Sequence, residues 1–145
     1  MDVLVPIDGS DPSMAALEYA CTNSPNSTIT VLYVSSLKSG QNRFIAGGSL
    51  DEWKQTEKQI AEGLLETARE RAESFDTDIE TAHEFGDPIR DIVGYAAENG
   101  IDQIVIGNRG RDGVKRLALG SVAERVVRQA PMPVVVVKAN GSERS

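Results

Sequence analysis

The run Ile101-Asp102-Gln103-Ile104-Val105-Ile106 is a short apolar strand that stops at Gly107. A loop bearing Arg109, Gly110 and Arg111 follows it. Ser121-Val122-Ala123-Glu124 then reads as a capping box that opens a helix, with Val122, Val126 and Ala130 on one face. Pro133 to Lys138, built on four consecutive valines, is the next strand. Two apolar strands joined through a helix form a right-handed crossover, so they lie parallel in one sheet.

The same alternation runs back to the N-terminus. Val3-Leu4-Val5-Pro6-Ile7 is a first strand, with Pro6 marking where its paired stretch ends. Asp11-Pro12 reads as a cap followed by proline at the first helical position, and Met14, Leu17 and Cys21 give that helix an apolar face. Ile29 to Val34 is a second strand, and Ser35 to Gly48 reads as a polar loop containing Phe44 and Ile45. The capping box Ser49-Leu50-Asp51-Glu52 opens a long helix with a buried stripe expected at Trp53, Ile60, Leu64, Ala68 and Phe75. Asp78 to Phe85 is a third strand. Asp87-Pro88 starts another helix, with Ile89, Ile92, Val93 and Ala96 inward and Asn99-Gly100 closing it. The pattern predicts a single-domain α/β fold over residues 1–138: a doubly wound, five-stranded parallel sheet, order 3-2-1-4-5, with helices on both faces. Residues 139–145 are expected to form a flexible polar tail.

Composition narrows the function classes. The net charge of −7 argues against a non-specific nucleic-acid binder and against docking on an anionic membrane. It keeps the chain soluble, or suits a salt-rich cytoplasm. No apolar run reaches membrane-spanning length and no signal peptide is visible, so a cytoplasmic protein is expected. The single cysteine, Cys21, excludes an internal disulfide and a cysteine-based metal cluster, and its place on an apolar helical face reads as core.

In an open parallel sheet, ligands bind beyond the carboxyl ends of the strands, where the strand order reverses. That places Asp8-Gly9-Ser10 opposite Gly107, with Val34-Ser35 after the second strand. Gly107-x-x-Gly110, nine residues and Gly120-Ser121 form the most informative segment. Glycines let the loop turn tightly and bring backbone N–H groups close to an anion. A helix opening at Gly120-Ser121 presents unsatisfied N–H groups at its positive end, which suits a phosphate. Arg109 and Arg111 would offset phosphate charge, and residues 111–119 would fold over a ligand. The plain alternatives are turn glycines, an N-cap at Ser121, a solvated basic face and Asp8 as a helix cap.

This signature resembles the G-2x-G-9x-G-[S/T] motif of the universal stress protein family, in its ATP-binding branch. The resemblance spans nearly the whole chain. It includes the opening Val3-Leu4-Val5-Pro6-Ile7-Asp8-Gly9-Ser10, the turn Gly86-Asp87-Pro88 and the ending Ala130-Pro131-Met132-Pro133-Val134-Val135-Val136-Val137. It implies that Asp8 contacts the ribose with a magnesium ion nearby, and that Val34 presents backbone groups to the adenine edge with Ile7 and Ile106 packing around the base. It also implies that Gly107, Gly110, Gly120, Ser121 and Val122 hold phosphates and ribose. Arg109 joins this set from its charge alone. The implied ligand is ATP, ADP or AMP, and the implied role is a nucleotide-dependent stress-response module with at most weak ATPase activity. A slow, magnesium-dependent ATPase is the alternative. The family further implies a homodimer through the last strand, Val134-Val137. An uncovered edge of valines would otherwise invite aggregation, which a symmetric pairing removes.

Other chemistries fit poorly. The sequence holds no Walker A motif and no Gly-x-Gly-x-x-Gly after the first strand. The first loop lacks the paired glycines of ATP pyrophosphatases, and the acids are not placed as in a receiver domain. His83, the single histidine, is expected to point outward or end its strand, without a partner that would make it a general base. No catalytic or metal-binding residue is assigned.

Overall fold

The computed structural model describes residues 1–109 and 119–139, the side chain of Arg43 excepted. Its elements run β1 (Asp2–Pro6), α1 (Asp11–Asn23), β2 (Thr28–Ser36), α2 (Leu37–Ile45), α3 (Leu50–Glu73), β3 (Ile79–Gly86), α4 (Pro88–Glu98), β4 (Gln103–Gly107), α5 (Ser121–Gln129) and β5 (Val134–Val137). The five strands make one sheet in the order β3-β2-β1-β4-β5, and every pairing is parallel. This is the doubly wound order expected from the alternation of strands and helices.

Residue parity divides the core into two layers. Val3, Val5, Val31 and Val105 face one side, where Ala16, Leu17 and Ala20 of α1 and Ala61, Leu65, Ala68 and Ala72 of α3 cover them. Leu4, Leu32, Ile104 and Ile106 face the other, under Ile92 and Ala96 of α4 and Ala123 and Val126 of α5. Val3, Leu4 and Val5 in the middle of the sheet are 0% exposed, and burial of each such side chain stabilises the fold by about 1.5–3 kcal/mol.

Several local expectations are corrected. The stretch read as a loop from Ser35 to Gly48 contains the last residues of β2 and the whole of α2. Its glycines and polar residues hide the helix, which is fixed by packing: Gly40 lies so close to Trp53 that a Cβ there would come within 2.7 Å of the indole ring. The stripe of α3 is turned relative to the expected one. Trp53 and Ala68 are buried, but Ile60 and Phe75 are exposed, and Ala61, Leu65 and Ala72 take the inward positions. Small residues there bring α3 close to the sheet and to α1.

Two helix starts shift by one residue. Ser10, not Asp11, caps α1, its Oγ accepting from the Ser13 N–H at 3.3 Å. Gly120, not Ser121, caps α5, and among the described residues no side chain closes that end. Ser49 caps α3 as expected, accepting from the Glu52 N–H at 3.3 Å. At the C-terminus Ala139 is buried rather than part of a polar tail, and residues 140–145 lie outside the described residues.

Candidate functional site

A cavity of about 390 Å³ opens at the carboxyl ends of β1, β2 and β4, where the strand order reverses. Its volume is within the range of small-molecule sites. The sheet contributes Pro6 and Ile7 from β1 and just beyond it, Leu32, Val34 and Ser36 from β2, and Ile106 and Gly107 from β4. Asp8 and Arg109 follow the ends of β1 and β4, and Gly120, Ser121, Val122 and Ala123 begin α5. Of the ten residues singled out in the sequence, the cavity brings together Ile7, Asp8, Val34, Ile106, Gly107, Arg109, Gly120, Ser121 and Val122. Gly110 lies outside the described residues, as does most of the loop over residues 111–119.

Local hydrogen bonds fix the polar end. Ile7 N–H donates to the Leu32 carbonyl at 2.9 Å, carrying the β1–β2 ladder one step past the strand. The Asp8 carboxylate accepts from the Ser10 N–H at 2.9 Å, an Asx turn that aims the chain into α1. The Ser13 hydroxyl donates to the Ser10 carbonyl at 2.9 Å and so tightens the same turn. Across the crevice, Gly120 N–H donates to the Asn108 carbonyl at 2.7 Å, which holds the start of α5 beside the end of β4.

Both described motif glycines are demanded by close chain approach. A Cβ on Gly107 would meet the Pro12 carbonyl carbon at 2.6 Å and Ser13 N at 2.8 Å. Gly107 is what allows the first turn of α1 to rest on the end of β4. A Cβ on Gly120 would lie 3.0 Å from the Arg109 Cα. Gly120 also lacks a side chain that could accept from the first N–H groups of α5, unlike the serine caps of α1 and α3. The positive end of α5 therefore faces the cavity beside Arg109, and no side-chain cap closes it among the described residues.

The opposite end is apolar with hydroxyls at its rim. Leu32 and Val34 of β2 and Pro88 and Ile92 of α4 provide the apolar wall, and Ser36 and Ser39 provide the hydroxyls. Pro6, Ser13, Leu32, Ser36, Ser39, Pro88, Ile92 and Ala123 also line the cavity and were not among the site residues expected from the sequence. Ser39 is hidden in the sequence because nothing local marks α2 as a helix, whereas Asp87-Pro88 marks a helix start and the fold alone brings Pro88 to the cavity. At the neighbouring corner Glu84 and Asp91 are hydrogen-bonded to each other, and burial, reinforced for each by nearby acids, raises both carboxyls above their usual range. Burial likewise pushes the Cys21 thiol up, which leaves it a core residue. Among the described residues no group of three or more His, Cys, Asp or Glu side chains is placed to hold a metal ion, and no helix is long and apolar enough to cross a membrane.

The fold and this cavity define a doubly wound α/β protein with a ligand-sized crevice at its switch point. The family model of the universal stress proteins matches residues 1–138. The Universal stress protein YxiE of Bacillus subtilis is 32% identical over 149 residues, covering 94% of this chain and 97% of the relative. Among solved structures, the universal stress protein UspA from Lactobacillus plantarum superposes with a TM-score of 0.78 at 26% identity, over 94% of this chain and 97% of the other. A universal stress protein in complex with cAMP superposes with a TM-score of 0.66 at 26% identity, over 94% of this chain and 95% of the other. This chain belongs to the universal stress protein family.

Proposed function

We propose that the cavity binds an adenine nucleotide and that the protein is a nucleotide-dependent stress-response module. One observation carries this reading: a single crevice joins an apolar slot to a helix N-terminus that no described side chain caps, flanked by Arg109. A nucleotide has the same two-part chemistry, a flat base and a polyanion. In this reading the base enters between Val34, Ile7 and Ile106, the ribose lies by Asp8, and the phosphates meet the backbone of Gly107, Gly110, Gly120, Ser121 and Val122. The cAMP held by one structural neighbour supports the adenine assignment. The site as described contains one carboxylate, Asp8. A magnesium ion would therefore arrive bound to the phosphates, with Asp8 beside it, rather than reside in a protein cage. β5 lies at the edge of the sheet, and we propose that two copies pair through it as a homodimer.

Calorimetry with ATP, AMP and adenosine tests the site. Arg109→Ala is expected to weaken ATP about tenfold, the loss of one charge-assisted contact, and to leave adenosine nearly unchanged. Equal binding of ATP by both proteins would remove Arg109 from the site, and no binding of any of the three ligands would overturn the nucleotide reading. Multiple-turnover release of ADP, abolished by Asp8→Ala, would instead favour the slow ATPase.

A further inference from the structure

The carboxyl ends of β2 and β3 carry a second cluster, on the sheet face opposite the cavity wall. The Ser35 hydroxyl and His83 Nε2 are hydrogen-bonded at 2.8 Å. The imidazole stacks on Tyr33 with ring centroids 5.5 Å apart, and lies 4.6 Å from the Phe85 ring. Phe85 meets Trp53 edge-on at 5.8 Å, and Trp53 is the surface on which Gly40 of α2 rests. The Tyr33 hydroxyl donates to Glu57 of α3 at 3.2 Å. A serine beside a histidine invites a hydrolytic reading, but Ser35 is 1% exposed and no substrate can reach it.

The cluster is nevertheless continuous with the cavity. Val34 and Ser36, the neighbours of Ser35 in β2, line the cavity from the other face of the strand. Ser39 also lines it, one residue before the Gly40 that seats α2 on Trp53. His83 thus holds, through Ser35 and through the Phe85–Trp53 stack, both pieces of chain that form the base end of the site. We propose that His83 is a positioning residue for the bound base, and that its protonation weakens nucleotide binding. The proposal rests on the nucleotide reading of the cavity.

The neutral ring suits this site. Burial lowers the His83 pKa, Glu57 opposes that shift, and Lys58 adds to it. Glu57 and Lys58 both come from α3, Lys54 of the same helix stands 5.9 Å from the centre of the Phe85 ring, and Tyr33 is the titratable group facing His83 from β2. A charged imidazolium placed between Tyr33 and Phe85 gives up part of its hydration, and its Nε2 becomes a donor only, so the Ser35 hydroxyl must then act as its acceptor. If the ligand selects the neutral, ordered cluster, linkage requires that the ligand also disfavour protonation of His83.

His83 is the chain's single histidine, so its ring signals in a proton NMR titration need no assignment by mutation. Adenosine is the probe, because its ribose and base do not titrate near neutrality. Its affinity is expected to fall by about fivefold or more between about pH 7.5 and about pH 5.5, and its binding to move the His83 titration to lower pH. His83→Phe keeps an aromatic ring in the stack and is expected to give a flat pH profile. His83→Gln, which retains hydrogen-bonding capacity at Ser35, is expected to be flat as well. Adenosine binding that is independent of pH in the unsubstituted protein, with an unmoved histidine titration, would overturn the coupling and leave the nucleotide site standing. Failure of adenosine, AMP and ATP to bind at about pH 7.5 would overturn both readings.

Discussion

At Gly107 a missing side chain is an element of packing. The Pro12 backbone occupies the space a Cβ would need, so neither neighbour can yield by rotating a side chain. Gly107→Ala is expected to lose about 1–3 kcal/mol, a melting point lower by several degrees in calorimetry. Gly120→Ala meets the Arg109 Cα at the milder distance of 3.0 Å. It is expected to cost less stability and to act on ATP affinity by displacing Arg109, so the two glycines are separable by comparing melting with binding. Glu84 and Asp91 make a pH-dependent prediction. Burial is the main cause of both raised values, so the folded state holds these protons more tightly than the unfolded chain. Their contribution is therefore stabilising at low pH and is lost as pH rises through the raised values. Glu84→Gln is expected to melt higher than the unsubstituted protein at about pH 7, with the difference closing toward about pH 4. A lower melting point at neutral pH would show that the pair does not oppose folding there.

Elements were legible in the sequence where local signals and burial agree. The strands around Val3 to Val5, Val31 and Val105 are apolar on both faces because both faces are covered. The capping box at Ser49 fixed one end of α3, and Asp87-Pro88 fixed the start of α4. α2 was illegible because nothing local demands it. Its serine, glycine, glutamine and asparagine residues favour a loop, and Trp53 supplies the reason for the helix from another element. Part of the α3 stripe was obscured in another way: Ala61 and Ala72 carry little hydrophobic signal but, with Ala68, let the helix approach closely. For the cavity, the glycine segment and Asp8 were readable as motif residues. Ser39 depended on α2, and Ser36 lies beyond the Ile29 to Val34 strand expected from the sequence, so neither was. Because Trp53 is the chain's single tryptophan, its fluorescence reports the seating of α2. Gly40→Val is expected to red-shift that emission and to weaken adenosine, since Ser39 moves with the helix. An unshifted spectrum would mean that α2 holds its place by other contacts.

Across the whole molecule, the two edges of the sheet are built differently. β3 reads Ile-Glu-Thr-Ala-His-Glu-Phe-Gly, and Arg69 of α3 reaches over to donate to the Thr81 hydroxyl at 2.7 Å. Charged side chains of this kind keep an edge from pairing. β5 is four valines, each only half-buried. Its backbone is already divided between neighbours: Ile104 N–H donates to the Pro133 carbonyl at 3.0 Å and Asn108 N–H to the Val137 carbonyl at 2.8 Å. With a strand period of two, residues 133, 135 and 137 face β4, and the main-chain groups of Val134 and Val136 point to the open edge. An edge that is uncharged and apolar, on a chain whose overall charge of −7 otherwise favours repulsion between copies, is suited to pairing with its own copy. Val136→Pro removes an outward N–H and spares the ladder to β4. It is expected to convert a dimer to a monomer in sedimentation velocity with the far-ultraviolet circular dichroism kept. Val136→Lys, which leaves the backbone intact, is expected to weaken the same association. Dimers that persist in both variants would move the interface away from β5.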